Sequence, residues 1–103
     1  MAFVKVANVS DIPVGQGSLV EASGLSLAVF NLGEGRFHAL SPVCPHEDGP
    51  LAEGWIEGDA VVCPWHGFDF ELGSGRCRVD EQLAISVYPA RVRDGVVEVD
   101  VPE

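Results

Sequence analysis

Apolar and polar side chains alternate with a period of two along much of this chain, which is the pattern of half-buried β-strands. Residues 3–8, 18–22, 26–32 and 36–40 each read as such a strand. Ser10-Asp11-Ile12-Pro13, the corner Gly15-Gln16-Gly17, the pair Ser23-Gly24 and the run Gly33-Glu34-Gly35 supply the turns between them. Glycines come too often between Pro50 and Gly58 for a long helix, so an irregular connection with one short strand is expected there. Residues 60–63 and 68–72 are further short strands, and Gly73-Ser74-Gly75 turns the chain again. At the end, 85–93 and 96–101 flank Asp94-Gly95, a type I′ pair that predicts a tight hairpin. Pro89 within 85–93 cannot donate to a ladder and marks an edge or a bulge. With no repeat and no helical period, the expectation is an all-β protein, a small antiparallel sandwich or barrel.

At 103 residues the chain suits a single domain over 1–103, with enough buried surface expected for one core but not two. A hydrophobic share of 47%, with 12 glycines and seven prolines, fits a compact, turn-rich β domain. Sixteen acids against six bases give a formal charge of −10. That balance argues against nucleic acid and anionic membrane surfaces, and for protein partners with basic patches. No apolar run approaches the roughly 20 residues needed to span a bilayer. The start, Met1-Ala2-Phe3-Val4-Lys5-Val6, lacks the pattern of a signal peptide. The expected setting is therefore soluble, cytoplasmic and away from membranes.

Chemistry concentrates in two loops, Cys44-Pro45-His46 and Cys63-Pro64-Trp65-His66, with sixteen residues between His46 and Cys63. Each offers a thiolate and an imidazole, ligands for zinc or for an iron–sulfur cluster. The prolines stiffen the loops, and Gly49 and Gly67 allow sharp turns next to a buried group. A zinc site of two cysteines and two histidines would use the same four donors, although zinc loops rarely combine Cys-Pro-His with Cys-Pro-Trp-His. Buried free cysteines with ordinary histidines are the plainest alternative. Cys77 falls outside both loops and reads as a small core or surface residue; its role stays open. His38 reads as surface or core, not as a ligand, and Trp55 and Tyr88 as core aromatics. Trp65 either shields the site or meets a partner. Glu47, Asp48, Glu53, Glu57 and Asp59 form either a solvated face or a docking face.

The spacing Cys44-x-His46 and Cys63-x-x-His66, with the flanking C-P-H-E-D-G-P-L and C-P-W-H-G-F, resembles the ligand signature of soluble Rieske-type ferredoxins. Ala28-Val29-Phe30-Asn31 and Tyr88-Pro89-Ala90-Arg91-Val92 extend the likeness beyond the loops. The resemblance implies a Rieske-like sandwich or barrel with an inserted cluster-binding subdomain at about residues 41–72. It implies one [2Fe–2S] cluster, with Cys44 and Cys63 on one iron and His46 and His66 on the other. High-potential relatives carry an extra disulfide cysteine in each loop, where this chain has Gly49 and Trp65. They also carry a serine and a tyrosine hydroxyl near the sulfurs, where this chain has Phe68 and Phe70. A low-potential centre follows, near the bottom of the roughly −150 to +300 mV Rieske span. The implied role is that of a monomeric electron carrier, not an enzyme in its own right. It would pass single electrons from a flavoprotein NAD(P)H reductase to the terminal non-haem iron oxygenase of an aromatic-ring-hydroxylating system. A second implied role is the small Rieske subunit of an NADH-dependent nitrite reductase, bound to its large subunit.

Overall fold

The computed structural model describes residues 2–22, 24–44, 49–64, 67–78 and 82–101, with the side chains of 2, 43, 44, 49 and 50 left aside. Its described elements are strands, apart from two 3-10 turns at Val9–Asp11 and Leu51–Glu53. In chain order the strands are β1 (Ala2–Asn8), β2 (Gly17–Ala22), β3 (Leu25–Gly33), β4 (Arg36–Leu40), β5 (Val43–Cys44) and β6 (Gly49–Pro50). They continue as β7 (Trp55–Glu57), β8 (Ala60–Val62), β9 (Asp69–Glu71), β10 (Val87–Tyr88), β11 (Ala90–Arg93) and β12 (Val96–Val101).

Two antiparallel sheets form the base, with strand orders β1-β12-β11 and β10-β4-β3-β2. Their facing sides meet in one core of Ile12, Leu27, Val29, Phe37, Ala39, Val97, Val99 and Val101. Val97, Val99 and Val101 alternate with half-buried Val96, Glu98 and Asp100, so β12 follows the period of two expected of it. Strand β3 does not expose its second face. Ala28 and Phe30 point away from Leu27 and Val29 into a second core, shared with Leu40, Leu51, Val61, Cys63, Phe70, Leu72, Cys77 and Ile85. A strand buried on both sides tolerates the near-continuous apolar run Leu27-Ala28-Val29-Phe30.

The chain thus holds two cores where its length suggested one, because β3 is buried on both faces and the second core belongs to an insertion. Strands β4 and β10 are neighbours in one sheet, pairing Leu40 with Val87 and Ala39 with Tyr88, yet 46 residues separate them in sequence. The intervening chain forms the hairpin β5-β6 and the three-stranded sheet β7-β8-β9. Ser41 N–H donates to the Ser86 carbonyl at 2.9 Å and closes the neck.

The last hairpin signal holds: Asp94 and Gly95 have φ of 54° and 76°, joining Arg93 to Val96 as a type I′ turn, whereas Ser23 of the Ser23-Gly24 pair lies outside the described residues. Pro89 behaves differently from the edge or bulge expected of it. It stands between β10 and β11, where the chain leaves one base sheet and joins the other, so the expected strand 85–93 is two strands in two sheets. The missing donor of Pro89 costs nothing at such a crossing, and its carbonyl accepts from Asp100 N–H at 2.9 Å.

Candidate metal centre

Both cysteine loops leave short antiparallel pairs. Cys44 ends β5 and pairs with Gly49 of β6. Cys63 follows β8, and its N–H donates to the Phe68 carbonyl at 2.7 Å, closing a second loop over 64–67. In each loop four residues separate the cysteine from its backbone partner. His46, Glu47, Asp48, Trp65 and His66 lie outside the described residues.

A short strut joins the loop bases. Leu51 N–H donates to the Pro42 carbonyl at 3.1 Å, tying the 3-10 turn Leu51–Glu53 to the strand that carries Cys44. The turn ends at Gly54, whose N–H donates to the Leu51 carbonyl at 2.9 Å. Gly54 lies so close to the Val62 carbonyl that a Cβ there would overlap the oxygen. Val62 directly precedes Cys63, so the strut reaches from one cysteine's hairpin to the other's. In the sequence Gly54 stands out only as part of Gly49-Pro50-Leu51-Ala52-Glu53-Gly54, a stretch that suits a nitrite reductase small subunit, and no local pattern there announces the close backbone approach.

Cys63 is fully buried in the second core, together with Leu51, Val61 and Phe70. A thiolate in such a place needs a cation to offset its lost hydration. Two cysteines rooted in separate, strut-linked hairpins, with a dry wall behind one of them, fit a sulfur-rich cluster that also takes the two loop imidazoles. Phe70 is fully buried and pairs with Val61 and, through an isolated bridge, with Cys77. Phe68 is half-buried against the same core. Both positions expected to face the cluster thus lie in the layer that carries Cys63, and neither supplies a hydroxyl.

The remaining sequence expectations divide. Cys77 is a core residue, 4% exposed, whose N–H donates to the Leu83 carbonyl at 3.1 Å. Tyr88 packs half-buried against the first core, as expected. Trp55 does not belong to the core: it is 48% exposed. Strand β7 alternates outward Trp55, inward Ile56 and outward Glu57, and the two-residue period leaves the tryptophan on the open side.

His38 lines a surface cleft of about 430 Å³ with Asp59, Glu71, Leu72, Gly73, Ser74 and Arg78, none of them an expected ligand. Burial holds its imidazole below the ordinary 6.5, helped by Arg36; Asp59 and a backbone hydrogen bond at Leu72 act in the opposite direction. Arg78 reaches Asp69 at 3.7 Å and Glu71 at 3.9 Å, surface pairs of small energetic weight. Among the described residues no helix is long and apolar enough to cross a membrane.

Comparison with known proteins agrees with this geometry. A family model described as the Rieske [2Fe-2S] domain matches residues 2–89. The 3-phenylpropionate/cinnamic acid dioxygenase ferredoxin subunit of Shigella flexneri serotype 5b (strain 8401) is 35% identical over 97 residues, covering 92% of this chain and 90% of the relative. A chain in the complex of reduced oxygenase and oxidized ferredoxin of carbazole 1,9a-dioxygenase superposes with a TM-score of 0.81 at 31% identity, covering 94% of this chain and 91% of that one. A protein described as the NADH-dependent nitrite reductase small subunit of Mycobacterium tuberculosis superposes with a TM-score of 0.90 at 26% identity, covering 99% and 97%. Two cysteine-bearing hairpins set on a β-sandwich, and a family model spanning both, lead to one conclusion: the chain belongs to the Rieske [2Fe-2S] domain family.

Proposed function

We propose that this chain is a low-potential Rieske ferredoxin, with Cys44 and Cys63 binding one iron of a single [2Fe–2S] cluster and His46 and His66 binding the other. Residues 1–103 act as one domain, with the cluster-binding part at about 41–72. The observation that carries the reading is the pair of strut-linked hairpins, each opening a loop that holds one cysteine and one histidine of the motif. When bound, the cluster supplies reversible one-electron storage. The protein's part is to hold the thiolates against a dry core and to leave the sulfurs short of hydroxyl donors, since residues 68 and 70 are phenylalanines. Fewer donors stabilise the more negative reduced state less, which lowers the potential.

The carrier role rests on the relatives. Two of the three named above belong to dioxygenase systems, a ferredoxin subunit and a chain of an oxygenase–ferredoxin complex, and over nine-tenths of this chain aligns with each. The electrons would come from a flavoprotein NAD(P)H reductase and go to a terminal non-haem iron oxygenase, with the chain working as a cytoplasmic monomer and not as an enzyme. The likeness to a nitrite reductase small subunit favours a second reading, in which the chain stays bound to a large catalytic subunit. Purification from the native host at moderate salt separates the two. A carrier elutes alone and restores NAD(P)H-driven turnover when added to its purified reductase and oxygenase. Stoichiometric co-elution with a sirohaem-containing subunit would replace the first reading with the second.

A further inference from the structure

We infer that the exposed edge of β7, centred on Trp55, is the docking surface for a redox partner that presents lysine or arginine side chains over the indole. This rests on the electron-carrier reading above. Strand β7 is an outer strand of its three-stranded sheet, and among the described residues its far side has no ladder neighbour. Trp55 and Glu57 share its outward face, and Glu53 is exposed one turn earlier. An indole left nearly half in water loses burial that the core one residue away would have supplied. Tryptophan, with tyrosine and arginine, is enriched among the residues that dominate protein–protein binding energy.

Charge selects the partner. Between Arg36 and Arg76 the chain contains no lysine or arginine, and Glu53, Glu57 and Asp59 are all exposed in that span. A cation brought to this face meets carboxylates at the rim and the electron-rich face of an indole at the centre, a combination favourable to ammonium and guanidinium groups. The other large apolar side chains exposed among the described residues stand in different surroundings: Val92 lies between Arg91 and Arg93, Leu19 on β2, Val14 in the turn before β2 and Val87 on β10. Position gives the site its use. Trp55 pairs directly with Val62, the residue before Cys63, so a partner seated here stands beside the second ligand loop.

The test uses the cluster-loaded protein, reduced and mixed in stopped flow with ferricytochrome c, a basic one-electron acceptor, and separately with ferricyanide, a small anion that needs no docking. Trp55→Ala should slow cytochrome c reduction at low salt by roughly fivefold or more, and leave ferricyanide reduction unchanged. Glu53→Gln with Glu57→Gln should flatten the fall of the cytochrome c rate with salt. Leu19→Ala and Val92→Ala should match the parent. An unchanged cytochrome c rate in Trp55→Ala, with the cluster absorption intact, would overturn the docking surface and leave the carrier reading standing. Failure of the parent protein to exchange electrons with either acceptor would overturn the carrier reading itself.

Discussion

Replacing Gly54 by alanine probes the strut between the two cysteine hairpins. A Cβ at this position would overlap the Val62 carbonyl oxygen and stand 3.0 Å from the Val62 carbonyl carbon and 3.1 Å from the Leu51 oxygen. Carbon–carbon contacts are comfortable at about 3.5–4.0 Å, so relieving the carbon contact alone requires about 0.5 Å of separation. Relieving the oxygen overlap requires more. All three atoms are backbone, so no side chain can swing aside. Constellations of ligands must be held to within about 0.5 Å to work, and the displaced residue is the one that precedes Cys63. Overpacking of this kind costs about 1–3 kcal/mol. Gly54→Ala should therefore bind less iron and sulfide per chain, lose its visible absorption at a lower temperature, and give a broadened or shifted EPR spectrum. Gly73→Ala is the matched control: nothing lies within 4 Å of the added methyl, and its φ is not positive. A Gly54→Ala protein with parental cluster content, thermal transition and spectrum would refute the strut.

Other consequences follow from particular side chains. Cys77→Ser places a hydroxyl in the second core and should cost about 1–3 kcal/mol in a denaturant titration, while leaving the Rieske EPR signal in place. Phe70→Tyr should raise the midpoint potential if its hydroxyl reaches a cysteine sulfur; a hydroxyl that finds no partner would show instead as lost stability with the potential unmoved. For His38, the folded protein binds its proton less readily than the unfolded chain, whose value is the ordinary 6.5. The unfolded state thus takes up more protons below 6.5, and stability should fall as pH drops through that value toward the lower folded one. His38→Gln should flatten this limb of a stability–pH profile, and an unchanged slope would contradict the assignment.

The motif itself could be read because its spacing is local, a cysteine and a histidine two or three positions apart, twice, and the family it points to is the one the family model matches; the ligand roles of Cys44, His46, Cys63 and His66 remain the proposal made above. Strand β12, at the centre of its sheet, was legible because it has one buried and one half-buried face and so shows its period of two openly. What the sequence hid depends on third parties. Trp55 looks like core by residue type, and only the placement of β7 at an outer position, with Ile56 turned inward, puts the indole in water. The pairs β5 and β6 have two residues each, too few for any periodicity to be read. Pro89 announces that a ladder stops, but not that the chain then crosses to another sheet. The return from β9 through Arg76 and Ala84 is held by single bridges, and its pairing cannot be seen in the local pattern.

The central claim is the identity of the bound group. Metal and acid-labile sulfide analysis, with EPR of the dithionite-reduced protein, tests it on one preparation. The protein should be red-brown and carry about two irons and about two sulfides per chain. Its EPR signal should be rhombic, with a mean g value below that of the free electron, and should vanish in His46→Ala and in His66→Ala. A colourless protein holding one zinc per chain, or a signal that survives the loss of either histidine, would contradict the account.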